Sequence, residues 1–212
     1  MKLSKLLIGI ALGLGLSLSS AANTTDTTTA VPTKQRVKIK PFHSLDISTV
    51  GRVTVKQGPK CTMHISGTKR LMSIVKFDVK NGMLRIYFPD GIRNVNTRNE
   101  ELNINITAPT LSRIDFNGVG RFTCDSTMRL SNDLEIITNG VGDLYVEDLH
   151  CKSLDIEING VGKADINVHC EHKLNAEVNG IGSLTLSGYT PSLRTDRNGI
   201  GRINKHRMQV GN

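Results

Sequence analysis

Residues 154–168 read Leu154-Asp-Ile-Glu-Ile-Asn-Gly-Val-Gly-Lys-Ala-Asp-Ile-Asn-Val168, and their pattern decides the fold. Leu154, Ile156 and Ile158 alternate with Asp155 and Glu157, the period-two signature of a strand with one buried face. Beyond Asn159-Gly160-Val161-Gly162 the alternation resumes, with Ala164, Ile166 and Val168 set against Asp165 and Asn167. Two short strands joined by a sharp corner make one coil.

The corner recurs. Asn-Gly-(Val/Ile)-Gly begins at Asn117, Asn139, Asn159, Asn179 and Asn198, at intervals of 22, 20, 20 and 19 residues. Self-similarity at about 20 residues indicates a solenoid whose repeats stack on one another. The expected turn ladder comprises Asn117, Gly118, Gly120, Asn139, Gly140, Gly142, Asn159, Gly160, Gly162, Asn179, Gly180, Gly182, Asn198, Gly199 and Gly201. Its role is structural. Asn and Gly tolerate positive φ, so Asn-Gly can bend the chain. Stacked asparagines can bond amide to amide, as in cross-β ladders. Val119, Val141, Val161, Ile181 and Ile200 lie between glycines and are expected to point inward and plug the corner. A single coil cannot bury enough to be stable alone, so the coils must share their ladders.

Upstream the pattern is looser. Leu45 to Val55 has the same alternation, with Ser48-Thr-Val-Gly51 where Asn-Gly-Val-Gly would stand. Phe77 to Phe88 reads as a hairpin turning at Asn81-Gly82, and Leu102 to Thr107 as a strand. Thr68 to Ser73 fits a single helical turn. The fold class is all-β: a β-solenoid, expected as a right-handed parallel β-helix with about 20 residues per coil, preceded by a looser β region with a hairpin.

The order FHSLDISTVGRVTVKQG, VKNGMLRIYF, LNINITAPTLSRIDFNGVG and then tandem G-x-G coils resembles the bacterial secreted domain called the head GIN domain, which carries the label of an auto-transporter adhesin. The resemblance runs over residues 36–207. It implies this fold and a role in adhesion, and it carries no catalytic motif.

Residues 1–22 read as an export signal. Lys2 and Lys5 precede an apolar run from Leu6 to Leu18, and Ser20-Ala21-Ala22 suits a cleavage site. The run is short for a membrane span, and no other segment is long enough, so no transmembrane segment is expected in the mature chain. Residues 23–35 are Thr-rich, with little to bury, and read as a flexible tether. Residues 36–210 then form a single solenoid domain. The product is expected to be periplasmic, at the cell surface or secreted.

Losing Lys2 and Lys5 lowers the net charge from +8 to +6. The surplus is spread along the chain, Trp is absent and aromatics are 4%, so a nucleic-acid stacking surface is not expected. The last coil is the most basic. Pro191, Arg194, Arg197, Arg202, Lys205 and Arg207 read as a charged cap on an open strand edge, with a patch for an anionic polymer as the alternative.

Catalytic signatures are missing. The G-x-G elements open no helix that could cradle a pyrophosphate, and there is no G-x-S-x-G elbow. A calcium ladder of the G-G-x-G-x-D kind needs acids after the second glycine. Those positions hold Arg121, Asp143, Lys163, Ser183 and Arg202. Asp155, Glu157, Asp165 and Glu177 fall on solvent faces. No catalytic residue and no cofactor is expected.

Cys61, Cys124, Cys151 and Cys170 remain. Cys124 follows its turn glycine as Val146 and Ile166 follow theirs, so it reads as core. Cys151 and Cys170 fall opposite the Asn-Gly corner on adjacent coils and are the disulfide candidate. His150, His169 and His172 occupy the same stretch. With the two thiolates they could hold zinc or copper, yet no C-x-x-C or H-x-x-x-H spacing is present and a disulfide would consume two ligands. No metal site is expected. The functional expectation is a non-catalytic exported domain for adhesion or envelope association, its partner an unknown envelope component or glycan. The alternatives are a small carbohydrate-active β-helix enzyme and a purely structural envelope protein.

Overall fold

The computed structural model describes residues 33–89 and 101–211, so the export signal and most of the Thr-rich stretch lie outside the described residues. Alternating apolar side chains dictate the architecture. Each coil places one row of Leu, Ile and Val inside and a polar row outside, and parallel pairing between coils satisfies the backbone.

The coils are built from β8 (Arg113–Phe116), β9 (Val119–Arg129), β10 (Leu134–Thr138), β11 (Val141–Ile158), β12 (Val161–Val178), β13 (Ile181–Thr190), β14 (Ser192–Arg197) and β15 (Arg202–Val210). Strands before each corner stack as β8, β10, the second half of β11, the second half of β12, then β14. Strands after each corner stack as β9, the first half of β11, the first half of β12, then β13 and β15. All of these pairs are parallel and in register, Leu154 facing Leu174 and Leu144 facing Ala164.

The coil has a third side where two strands and a plain turn were expected. The β11–β12 register shifts between Val146 and Leu149 and again between Cys151 and Ser153. These breaks set off a third short run, Leu149–Cys151 paired with Val168–Cys170. Leu149, Cys151, Val168 and Cys170 are all buried there. Cys151 and Cys170 are therefore core residues of that third side, not exposed turn residues.

The N-terminal part closes the other end. β2 (Ser44–Ser48) pairs with β8, and β3 (Val50–Gln57) pairs with β9, setting Val50 and Gly51 against Val119 and Gly120. Ser48-Thr49-Val50-Gly51 is thus one more corner in the same column. The next layer is β6 (Met83–Tyr87) on β2 and β7 (Leu102–Ala108) on β3, both parallel. Antiparallel strands finish the end: β5 (Lys76–Lys80) on β6, β4 (Thr62–Gly67) on β7, and β1 (Thr33–Val37) on β4. β1 begins at Thr33, within the last residues of the Thr-rich stretch. Asn81 and Gly82 have φ of 52° and 74°, as a tight hairpin turn requires. A short helix, α1 (Lys69–Ile74), is capped by Thr68, whose hydroxyl accepts from the Leu71 amide at 3.3 Å, and it buries Leu71.

The core runs unbroken from Val37 to Leu186. At the far end Leu193, Ile203 and Met208 are only partly buried, because among the described residues no strand pairs on the outer side of β14 and β15. That open edge carries Arg197, whose guanidinium donates to Gly201 O at 3.0 Å, with Arg202, Lys205 and Arg207 exposed beside it. Clustered like charge on an edge strand discourages pairing with another copy. Changing Arg197, Arg202, Lys205 and Arg207 to Ser should therefore raise self-association in sedimentation velocity. A variant that sediments as the parent does removes the capping role.

Candidate functional site

The Asn-Gly corners stack into one straight edge, and its geometry follows from how little room a corner has. Asn139 Nδ2 donates to Asn117 Oδ1 at 2.7 Å, Asn159 to Asn139 at 2.8 Å, Asn179 to Asn159 at 2.9 Å and Asn198 to Asn179 at 3.1 Å. Asn117 continues the line to Asp46 Oδ1 at 3.2 Å. Each amide thus donates down and accepts from above. Asn179 and Asn198 also reach Glu157 and Glu177, at 3.4 and 3.0 Å, which ties the ladder to the acidic flank before the corner.

The glycines are the points of closest approach between coils. A Cβ on Gly140 would lie 2.0 Å from the Gly118 carbonyl oxygen, and one on Gly160 would lie 1.9 Å from that of Gly140. The coils meet here with no space for a side chain. Positive φ is found at the second glycine of the first three corners, Gly120, Gly142 and Gly162, not at Gly182 or Gly201, and at none of the five corner asparagines.

This arrangement overturns the expected plug. Val141, Val161, Ile181 and Ile200 are 51%, 46%, 56% and 81% exposed, and Val119 is half-buried. They point outward, while the glycine before each one packs against the backbone of the neighbouring coil and fits only by lacking a Cβ. The result is a crest of β-branched aliphatic side chains about 19 Å long, four spacings of roughly 4.8 Å. The asparagine ladder lies on one flank. On the other lie Arg52, Arg121, Asp143, Lys163, Ser183 and Arg202, one per coil and in register. Arg121 sits within 3.6 Å of Asp143 and packs its guanidinium over the Tyr145 ring at 5.3 Å.

On the face before the corner, a shallow groove is lined by Glu135, Asp155, Glu157, Asn175, Glu177 and Arg194 among others. Glu135, Asp155, Asn175 and Arg194 form one in-register column. Asn175 Nδ2 donates to Asp155 Oδ1 at 2.5 Å, and Arg113 bridges Asp115 and Glu135, which raises the Arg113 pKa, chiefly through its hydrogen bond to Asp115. Of these acids Glu135 is paired with Arg113, while Asp155, Glu157 and Glu177 accept hydrogen bonds from Asn175, Asn179 and Asn198.

The cysteines divide as their burial dictates. Cys124 is buried, and desolvation pushes its thiol up to about 12, so it carries no thiolate at neutral pH. Cys151 and Cys170 face each other in register with sulfurs 3.9 Å apart. The hydrogen bond shared with Cys170, together with burial, raises the Cys151 thiol. Cys61 is half-buried and donates to Phe42 O at 3.6 Å. Strand alternation sends Cys151 and Cys170 inside and His150 and His169 outside, so thiolates and imidazoles do not converge on one ion.

Comparison with known proteins gives the family and the fold. The family described as "Putative auto-transporter adhesin, head GIN domain" matches residues 41–172. Among solved structures, a putative adhesin from Parabacteroides distasonis is similar with a TM-score of 0.76 at 16% identity, over 86% of this chain and 77% of that one. A putative adhesin from Bacteroides fragilis is similar with a TM-score of 0.53 at 22% identity, over 82% of this chain and 96% of that one. At those identities the likeness is one of fold. No curated protein matches the chain.

Proposed function

The chain belongs to the head GIN domain family, and on that premise we propose that it is an exported, non-catalytic adhesion domain whose contact surface is the aliphatic crest. The observation that carries this reading is the exposure of Val141, Val161, Ile181 and Ile200 in a straight row. Corner residues of a solenoid are free to be polar. A continuous row of exposed β-branched side chains, rimmed by amides on one side and arginine and lysine on the other, has the composition of an interaction patch. The crest is preorganised: its backbone is locked by the ladders on both flanks, so binding orders little that is not already ordered. The partner it suits is an envelope component offering an apolar strip beside polar or anionic groups. Export rests on the basic start, apolar run and small residues of 1–22. Among the described residues no helix is long and apolar enough to cross a membrane.

The test changes Val141, Val161, Ile181 and Ile200 together to Ser, which removes the crest and leaves the ladders and core alone. Beads coated with the exported protein are mixed with envelope fractions and glycan arrays. We expect at least a tenfold loss of retained envelope material with an unchanged far-UV spectrum and thermal melt. Full retention by the folded variant would exclude the crest as the contact surface.

A further inference from the structure

We propose that Asp148, His150 and His169 form a binding site for a borderline divalent transition cation of the zinc class, on the third side of the solenoid and away from the crest. The three groups come from two adjacent coils. His150 on β11 and His169 on β12 are register partners, and their rings stack with centroids 4.8 Å apart and planes 12° apart. Asp148 enters from the register break after Val146, where the coil turns onto its third run. Its Oδ1 lies 3.1 Å from His150 Nε2 and 3.9 Å from His169 Nδ1. One ligand atom from each residue falls within 4.8 Å of the other two.

Two further observations point to a ligand. His169 Nδ1 is shielded within a side chain 44% exposed and has no hydrogen-bond partner, although Asp148 Oδ1 is its near neighbour. An orphaned buried nitrogen is costly unless something fills the gap. Secondly, the carboxylate is already oriented from behind: the Thr127 hydroxyl on β9 donates to Asp148 Oδ2 at 2.8 Å. That leaves Oδ1 turned toward the imidazoles, as outer-shell partners do for ligating carboxylates.

The donor set chooses the cation. Two imidazoles and a carboxylate suit zinc and its neighbours rather than calcium or magnesium, which prefer all-oxygen shells. A tetrahedral ion with bonds of about 2.1 Å needs donor separations of ~3.4 Å. The Asp148–His150 pair is already near that value, and small side-chain rotations bring His169 in. Water completes the fourth position. Arg129 is the opposing influence. It is the register partner of His150 on the β9 side, and its charge weakens cation binding at the carboxylate.

Such an ion would clamp β11 to β12, and through Thr127 to β9, so its binding must add to stability. The experiment titrates Zn2+ into the full protein by calorimetry, follows the thermal melt, and substitutes Co2+ for its visible spectrum. One saturable site with Kd below about 10 µM, a zinc-dependent rise in Tm and a tetrahedral Co2+ band are expected. His169→Gln and Asp148→Asn should each weaken Zn2+ binding at least tenfold and abolish the Co2+ band. His172→Ala should change neither, and Arg129→Ala should tighten binding. All four positions have outward side chains, so the variants keep the apo melt, which confirms that they fold. Equal Zn2+ affinity in His169→Gln, loss of binding in His172→Ala, or absence of a saturable site in the parent would overturn the assignment.

Discussion

Gly142→Val or Gly162→Val is expected to abolish folding to the native stack. Both glycines have φ near +150°, at 148° and 150°, a conformation that β-branched residues do not adopt without strain of about 1–3 kcal/mol. Collision costs more than that strain. A Cβ at Gly142 would lie 1.8 Å from the Gly120 carbonyl oxygen, and one at Gly162 would lie 1.8 Å from that of Gly142. Those oxygens are backbone of the next coil and cannot swing away. Relief requires the coils to separate locally, which breaks ladder bonds and exposes core on both sides. The sum exceeds about 5 kcal/mol, enough to unfold most domains outright. Soluble yield, far-UV circular dichroism and the melt report the outcome. Gly211→Ala is the internal control. It also has positive φ, at 82°, but nothing lies within 4 Å of its Cβ, so its effect should stay near 1 kcal/mol. A Gly162→Val protein melting within a few degrees of the parent would refute the tight-corner geometry.

Oxidation is expected to join Cys151 to Cys170 and to raise the melt by roughly 6–12 °C. The pair is in register on neighbouring parallel strands with sulfurs 3.9 Å apart, so rotation about χ1 brings them to bonding distance without moving the backbone. Closing a loop of 19 residues restricts the unfolded chain by about 3 kcal/mol on the loop-entropy account. A domain of this size shifts by about 2–4 °C per kcal/mol. Oxidised glutathione supplies the electron acceptor in the test, and non-reducing peptide mapping reads the product. Cys124 serves as the control: buried and held as a thiol near 12, it should stay unmodified until the protein unfolds. Recovery of Cys151 and Cys170 as free thiols after oxidation, or a melt insensitive to reductant, would eliminate the pairing.

Much of the framework is legible in the sequence because it depends on local rules. Asn81-Gly82 announces a tight hairpin wherever it occurs between alternating strands, and the turn is there. Thr68 marks the start of a one-turn helix by its capping chemistry. The phase of Cys124 matches that of Val146 and Ile166 relative to their corners, and all three are buried. The weaker copy at Ser48–Gly51 belongs to the corner column by pattern alone, and it pairs there. In each case the deciding physics lies within a few residues of the one named.

The Asp148–His150–His169 group is only partly legible in the sequence. The repeat places His150 and His169 on adjacent coils, and the register of β11 against β12 pairs them, but only the structure brings the Asp148 carboxylate to face both rings. Adjacency in the chain groups these histidines with Cys151 and Cys170 instead. Strand alternation then sends neighbours to opposite sides, and the inside and outside sets never meet.

By itself, the sequence determined that this chain is a stack of roughly 20-residue β coils with Asn-Gly corners, because side-chain alternation and a repeated turn are properties of short segments. Only the tertiary structure decided the order of the stack, in which β2 and β3 lie between a layer that follows them in the chain and β8 with β9. It also decided the third run around Cys151 and the outward direction of Val141, Val161, Ile181 and Ile200. These depend on contacts between coils. At each corner the carbonyl of the neighbouring coil leaves room between the coils for a glycine and for nothing larger, and the β-branched residue beside it stands exposed.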